Sequence, residues 1–90
     1  MIEIKSARMA LCACPTVWIG QTIEDHTVYC RYRWGNLSVR LSTQPNPEFA
    51  GAGGTCIAEI ARGGPYDGFI DYEDLREATR ELIVWPETHQ

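Results

Sequence analysis

Residues 27–42 constrain this chain more than any other stretch. From Thr27 to Trp34 the residues alternate, with Val28, Cys30, Tyr32 and Trp34 on one side and Thr27, Tyr29, Arg31 and Arg33 on the other. Leu37, Val39 and Leu41 then alternate with Ser38, Arg40 and Ser42. Residues two apart along a strand share a face, so this is the pattern of two strands with one apolar and one basic side. Gly35-Asn36 separates them, and a two-residue loop of that composition predicts a tight hairpin. Counting outward from the loop pairs Trp34 with Leu37, Tyr32 with Val39, Cys30 with Leu41, Arg33 with Ser38 and Arg31 with Arg40.

The neighbouring segments extend the sheet and add one helix. Residues 16–23 (TVWIGQTI) are rich in β-branched and aromatic side chains, and Glu24-Asp25-His26 is a polar turn. Two prolines and three glycines in the run around 43–55 predict an irregular loop, and 56–61 (CIAEIA) is too short for its period to separate a strand from a helical turn. Over 71–85 the signals are helical. Asp71 stands at the N-cap, Ile70 and Leu75 are spaced as a hydrophobic staple, and Leu75, Ala78, Leu82 and Trp85 recur before Pro86. The alternating MIEI at the start is a candidate edge strand, and the residues after Pro86 read as a tail. The expectation is an α+β domain over 1–90: a segment 1–15, an antiparallel β-meander of three or four strands, and one C-terminal α-helix packed on its apolar face. Trp85 and either Trp18 or Trp34 are the expected core anchors.

Size and composition limit the functions open to it. A chain of 90 residues buries only about 60% of its unfolded surface, which supports one core and leaves no room for a second domain around a cleft. No apolar run approaches the roughly 18 residues of a membrane span, and the first dozen residues carry Glu3, Lys5 and Arg8 rather than the apolar core of a secretory signal. A cytoplasmic protein is expected, with Cys12, Cys14, Cys30 and Cys56 as thiols. Leu11-Cys12-Ala13-Cys14 imitates a lipidation box without the preceding apolar stretch. The same cysteines lack the paired spacing of a structural zinc site, so no metal is expected.

Other motifs fall short of their chemistry. Asp67 to Leu75 resembles the second half of a calcium loop, but Gly63 and Pro65 occupy the places of the first ligands. Gly51-Ala52-Gly53-Gly54-Thr55 lacks the lysine of a phosphate loop. His26 lies in a turn and His89 in the tail, neither set beside a nucleophile, so no enzymatic activity and no cofactor are expected.

Charge is the more informative property. Residues 1–45 hold five bases and three acids, while 46–90 hold three bases and nine acids, so the net −4 is a sum of unlike halves. Two candidate binding surfaces follow. One is the basic hairpin face of Tyr29, Arg31, Arg33 and Arg40. The other is an acidic helix face of Glu73, Asp74, Glu77 and Glu81, relieved in part by Arg76 and Arg80. The acidic balance disfavours nonspecific nucleic-acid binding, which rests on many cationic contacts.

The run Tyr29-Cys30-Arg31-Tyr32-Arg33-Trp34-Gly35-Asn36-Leu37-Ser38-Val39-Arg40, together with Asp67-Gly68-Phe69-Ile70-Asp71-Tyr72-Glu73-Asp74-Leu75, resembles small uncharacterised bacterial and phage proteins. In size and acidity the chain is similar to the anti-CRISPR inhibitors, and that resemblance implies a phage-encoded protein that blocks a host nucleoprotein complex, such as a CRISPR effector, by direct contact. It carries over no site residue. The alternative is a small nucleic-acid-binding module that uses the hairpin's basic, aromatic face.

Overall fold

A computed structural model of the chain describes residues 1–12, 15–43, 54–64 and 68–90. The strands are β1 (Ile2–Leu11), β2 (Thr16–Thr22), β3 (Thr27–Arg33), β4 (Asn36–Ser42), β5 (Thr55–Ala61) and β6 (Ile83–Val84), and the helix α1 (Tyr72–Ala78) precedes β6. They form one six-stranded sheet in the order β5-β4-β3-β2-β1-β6, antiparallel except for the parallel β1–β6 pair. The expected three- or four-stranded meander with a helix layered on its face is therefore wrong. The protein is mostly β, a curled half-barrel with one short helix.

Bulges explain both the curl and the concealment of β1 in the sequence. The β1–β2 register shifts between Ile4 and Ser6 and again between Met9 and Leu11. Each extra residue bends the strand and reverses the phase of alternation, so the buried positions run Ile4 and then Ala7 rather than every second residue. Two shifts in ten residues leave no steady period to read. A third shift lies between Val39 and Arg40 where β4 meets β5. Residues 56–61 belong to a strand, which resolves their ambiguity.

The hairpin has the expected faces and a different register. Arg33 pairs with Asn36, Tyr32 with Leu37, Cys30 with Val39 and Tyr29 with Arg40. The loop is Trp34-Gly35, both at positive φ (56° and 74°), as a type I′ turn requires. The shift is two residues, so every strand side chain keeps its predicted side, while Trp34 passes from the apolar side into the turn. The expected Arg31–Arg40 opposition does not occur, since Arg31 faces Ser38. A tertiary contact sets this choice: the Gly35 carbonyl accepts the N–H groups of Arg62 (2.8 Å) and Gly63 (3.1 Å) beyond β5.

The inner face holds the core. Trp18, Val28, Cys30, Tyr32, Leu37 and Val39 are buried there with Ile70, Tyr72, Leu75, Ile83 and Trp85. Trp34 is not an anchor; the residue is 57% exposed. Burial raises the Cys30 thiol from 9.0 to about 12. Asp71 caps α1 as expected, its carboxylate accepting the Asp74 N–H at 2.8 Å, and Ile70 and Leu75 are both buried.

The helix stops at Ala78 instead of running to Trp85. Buried Thr79 turns the chain. Its hydroxyl donates to the Leu75 carbonyl (2.8 Å) and accepts the Trp85 indole N–H (2.8 Å), while its carbonyl receives the Leu82 and Ile83 N–H groups. The β-branched pair Ile83-Val84 then joins β1. Residues after Pro86 dock rather than trail: the His89 ring packs 4.8 Å from Trp18 and 4.7 Å from Tyr72, and the Gln90 N–H bonds the Ala7 carbonyl.

Trp85 closes the core over Gly20, where a Cβ would lie 2.9 Å from its ring and 3.0 Å from Ile4. Gly20→Ala should therefore cost about 1–3 kcal/mol through overpacking, read from the urea midpoint; an unchanged midpoint would show that this contact is loose. The raised Cys30 pKa means that the folded state holds its thiol proton longer than the unfolded chain. Its contribution is complete below pH 9 and is lost as pH climbs toward 12, so stability should decline over that window and Cys30→Ala should flatten the decline.

Candidate functional site

The strand registers place the arginines in lateral rows on the outer face of the sheet. Arg33, Asn36 and Ala61 form the row nearest the hairpin end. Next come Leu11, Val17, Arg31, Ser38 and Glu59, and then Arg8, Ile19, Tyr29, Arg40 and Cys56. Directly paired residues share a face, so four arginines from three strands lie on one surface. The only other charged residue in these rows is Glu59. Arg8 is a further member of this surface that the sequence conceals, because the β1 bulges remove the period that would show which way it faces.

Within this surface the predicted residues differ in availability. Arg31 and Arg33 are exposed, and neither is in an ion pair among the described residues. Arg33 lies over the Trp34 ring at 5.0 Å, a cation–π contact at the tip of the hairpin. Arg31, Arg33, Trp34, Asn36, Ser38 and Glu59 line a shallow pocket of about 310 Å3. Arg40 is engaged elsewhere, donating to the Gly54 carbonyl at 2.8 Å, and Tyr29 beside it is half-buried. Val17 and Ile19 are buried on this outer side, so the middle rows offer less contact area than the hairpin end.

Trp34 departs from its expected place in the core. Its place in the alternation counted it into the core, but it sits in the turn at φ 56°. A bulky side chain in the left-handed region is uncommon, and its cost is about 1–2 kcal/mol. Asparagine or glycine would satisfy the same turn. Neither the turn nor the core thus calls for a tryptophan here, and Trp34 stands exposed beside Arg33 and lines one pocket with Arg31.

The acidic face is less available than expected. Glu73 pairs with Arg76 (3.2 Å), Glu77 with Arg80 (3.5 Å), and Asp74 lies 4.0 Å from Arg62. Such exposed pairs add little stability, yet they cancel charge locally. Glu81 lies beyond the end of α1, so the expected column of Glu73, Glu77 and Glu81 does not form along one helix. The groove between α1 and β6 is lined by both signs, Glu73 and Glu77 with Arg76 and Arg80.

The remaining motifs divide between observed positions and ones outside the described residues. Cys14, Asp67 and Gly51 to Gly53 are outside. Cys12 and Cys56 are exposed and Cys30 is buried, and no group of three or more His, Cys, Asp or Glu gathers among the described residues. His26 donates its backbone N–H to Thr22 Oγ1 at 2.9 Å in the β2–β3 turn, where Lys5 pairs with Asp25 and holds its carboxyl below the ordinary range. Among the described residues no helix is long and apolar enough to cross a membrane.

Replacing Trp34 separates its two effects. Trp34→Asn should relieve the turn and raise the melting temperature by about 4–8 °C for each kcal/mol recovered. A melting temperature that falls would mean that the ring supports the fold. Comparison with known families, with curated proteins and with solved structures finds no match to any of them.

Proposed function

We propose that this chain is a non-catalytic binding protein that docks on an acidic surface of a partner protein through the end of the β3–β4 hairpin. The observation that carries the reading is the exposed Trp34 with Arg33 over its ring and Arg31 lining the same pocket, neither arginine in an ion pair among the described residues. Tryptophan and arginine are the residue types that dominate binding energy at protein interfaces, and free cations on an otherwise acidic molecule orient its approach. The resemblance to the anti-CRISPR class makes a guide-loaded CRISPR effector the first partner to test, with inhibition by steric occlusion. The exposed Trp34 also favours a second reading, in which it stacks a base of single-stranded nucleic acid. Two available arginines beside it, on a chain of net −4, give that reading weak electrostatic support.

In a target-cleavage assay with purified effector, Arg31→Glu with Arg33→Glu should weaken inhibition about 100-fold while leaving the melting temperature in place. Reversing Glu73, Glu77 and Glu81 to lysine should change it less than about threefold. The opposite pattern would move the docking surface to the acidic face. Loss of inhibition in parallel with loss of oligonucleotide binding would favour the nucleic-acid reading.

A further inference from the structure

Glu59 is the one acid in the arginine rows, and its position is specific. It shares a row with Arg31, across Ser38, so the two lie two strand spacings apart, about 10 Å. It lies on β5, the edge of the sheet, and lines the same pocket as Arg31 and Arg33. Its side is exposed, and among the described residues it is in no ion pair. A carboxylate about 10 Å across the sheet from Arg31, and lining one pocket with Arg31 and Arg33, stands slightly beyond one screening length at physiological salt (about 8 Å), so it partly offsets the positive potential that a long anion meets there.

The consequence differs for two kinds of ligand. A nucleic-acid strand carries one sign of charge along its length, and a strand crossing the sheet from β3 toward its edge passes over Glu59 after Arg31. A protein surface can present a carboxylate to Arg31 and Arg33 and a cationic side chain to Glu59 at the same time. Discrimination of this kind comes as much from the repulsive element as from the attractive one.

We propose that Glu59 is the specificity-determining residue of the hairpin-end site: it turns the arginine pocket away from polyanions and commits it to a protein surface of mixed charge. This rests on the docking role proposed above. The partner surface carries an acidic residue opposite Arg31 and Arg33 and a basic residue about 10 Å away opposite Glu59.

The test is fluorescence anisotropy of the full chain with labelled dT15 at physiological salt. Wild type should bind weakly, Glu59→Gln about 5-fold more tightly and Glu59→Lys about 20-fold more tightly, with the gain removed by Arg31→Glu in the same chain. Glu24→Lys, which adds the same charge in the β2–β3 turn at the other end of the sheet, should gain no more than about twofold. Equal gains from Glu59→Lys and Glu24→Lys would overturn the proposal. If that happens while Arg31→Glu with Arg33→Glu still abolishes effector inhibition, the docking role stands without the filter. Tight binding of dT15 by wild type would overturn both. Glu59 is exposed, and Glu59→Gln is a conservative change on which the proposal remains testable if the lysine variant does not fold.

Discussion

A buried hydrogen bond of 2.9 Å from the Trp18 indole N–H to the Ile70 carbonyl organises the second half of the molecule. An indole N–H buried without an acceptor costs about 1–3 kcal/mol, so the segment before α1 must lie where Trp18 can reach it. Thr16 reinforces the placement, its hydroxyl 2.7 Å from the Gly68 carbonyl and accepting the Ile70 N–H at 3.3 Å. Fixing Ile70 fixes the N-cap at Asp71. Tyr72 then packs on Trp18 with ring centroids 5.2 Å apart, and its hydroxyl donates to the Pro86 carbonyl. The return of the chain to β1 follows from there. All of this covers the inner face and leaves the hairpin end of the outer face, at Arg31 and Arg33, open to carry charge.

The sequence displayed whatever depends on strict alternation. The sidedness of β3 and β4, the basic character of the outer face and the helix start at Asp71 all follow from local periodicity or capping. What it concealed was set by distant contacts. The hairpin loop moved by one step because Arg62 and Gly63 bind the Gly35 carbonyl, and no property of residues 34–37 alone announces that. Leu82 and Trp85 fall at helical spacing and so predict a longer helix, but a turn around Thr79 and a parallel strand bury Trp85 as well. In β1 the two bulges removed the period altogether, and Arg8 was lost with it.

Those differences changed the functional picture more than the fold. A helix ending at Ala78 breaks the acidic column, and the arginines along α1 and at Arg62 pair with the rest. Moving the turn onto Trp34 takes a large aromatic out of the core and sets it beside two unpaired arginines. The net charge of −4 describes neither surface. Strain at Trp34 lies in a turn that easier residues would satisfy, and it is this excess over what the fold requires that the proposed docking role draws on.

Docking through the hairpin end is tested most directly by hydrogen–deuterium exchange of the chain alone and in the presence of a saturating guide-loaded effector. Slowed exchange across residues 31–38 and 57–61, with 72–81 unchanged, is the predicted result. Slowing confined to 72–81 would contradict it.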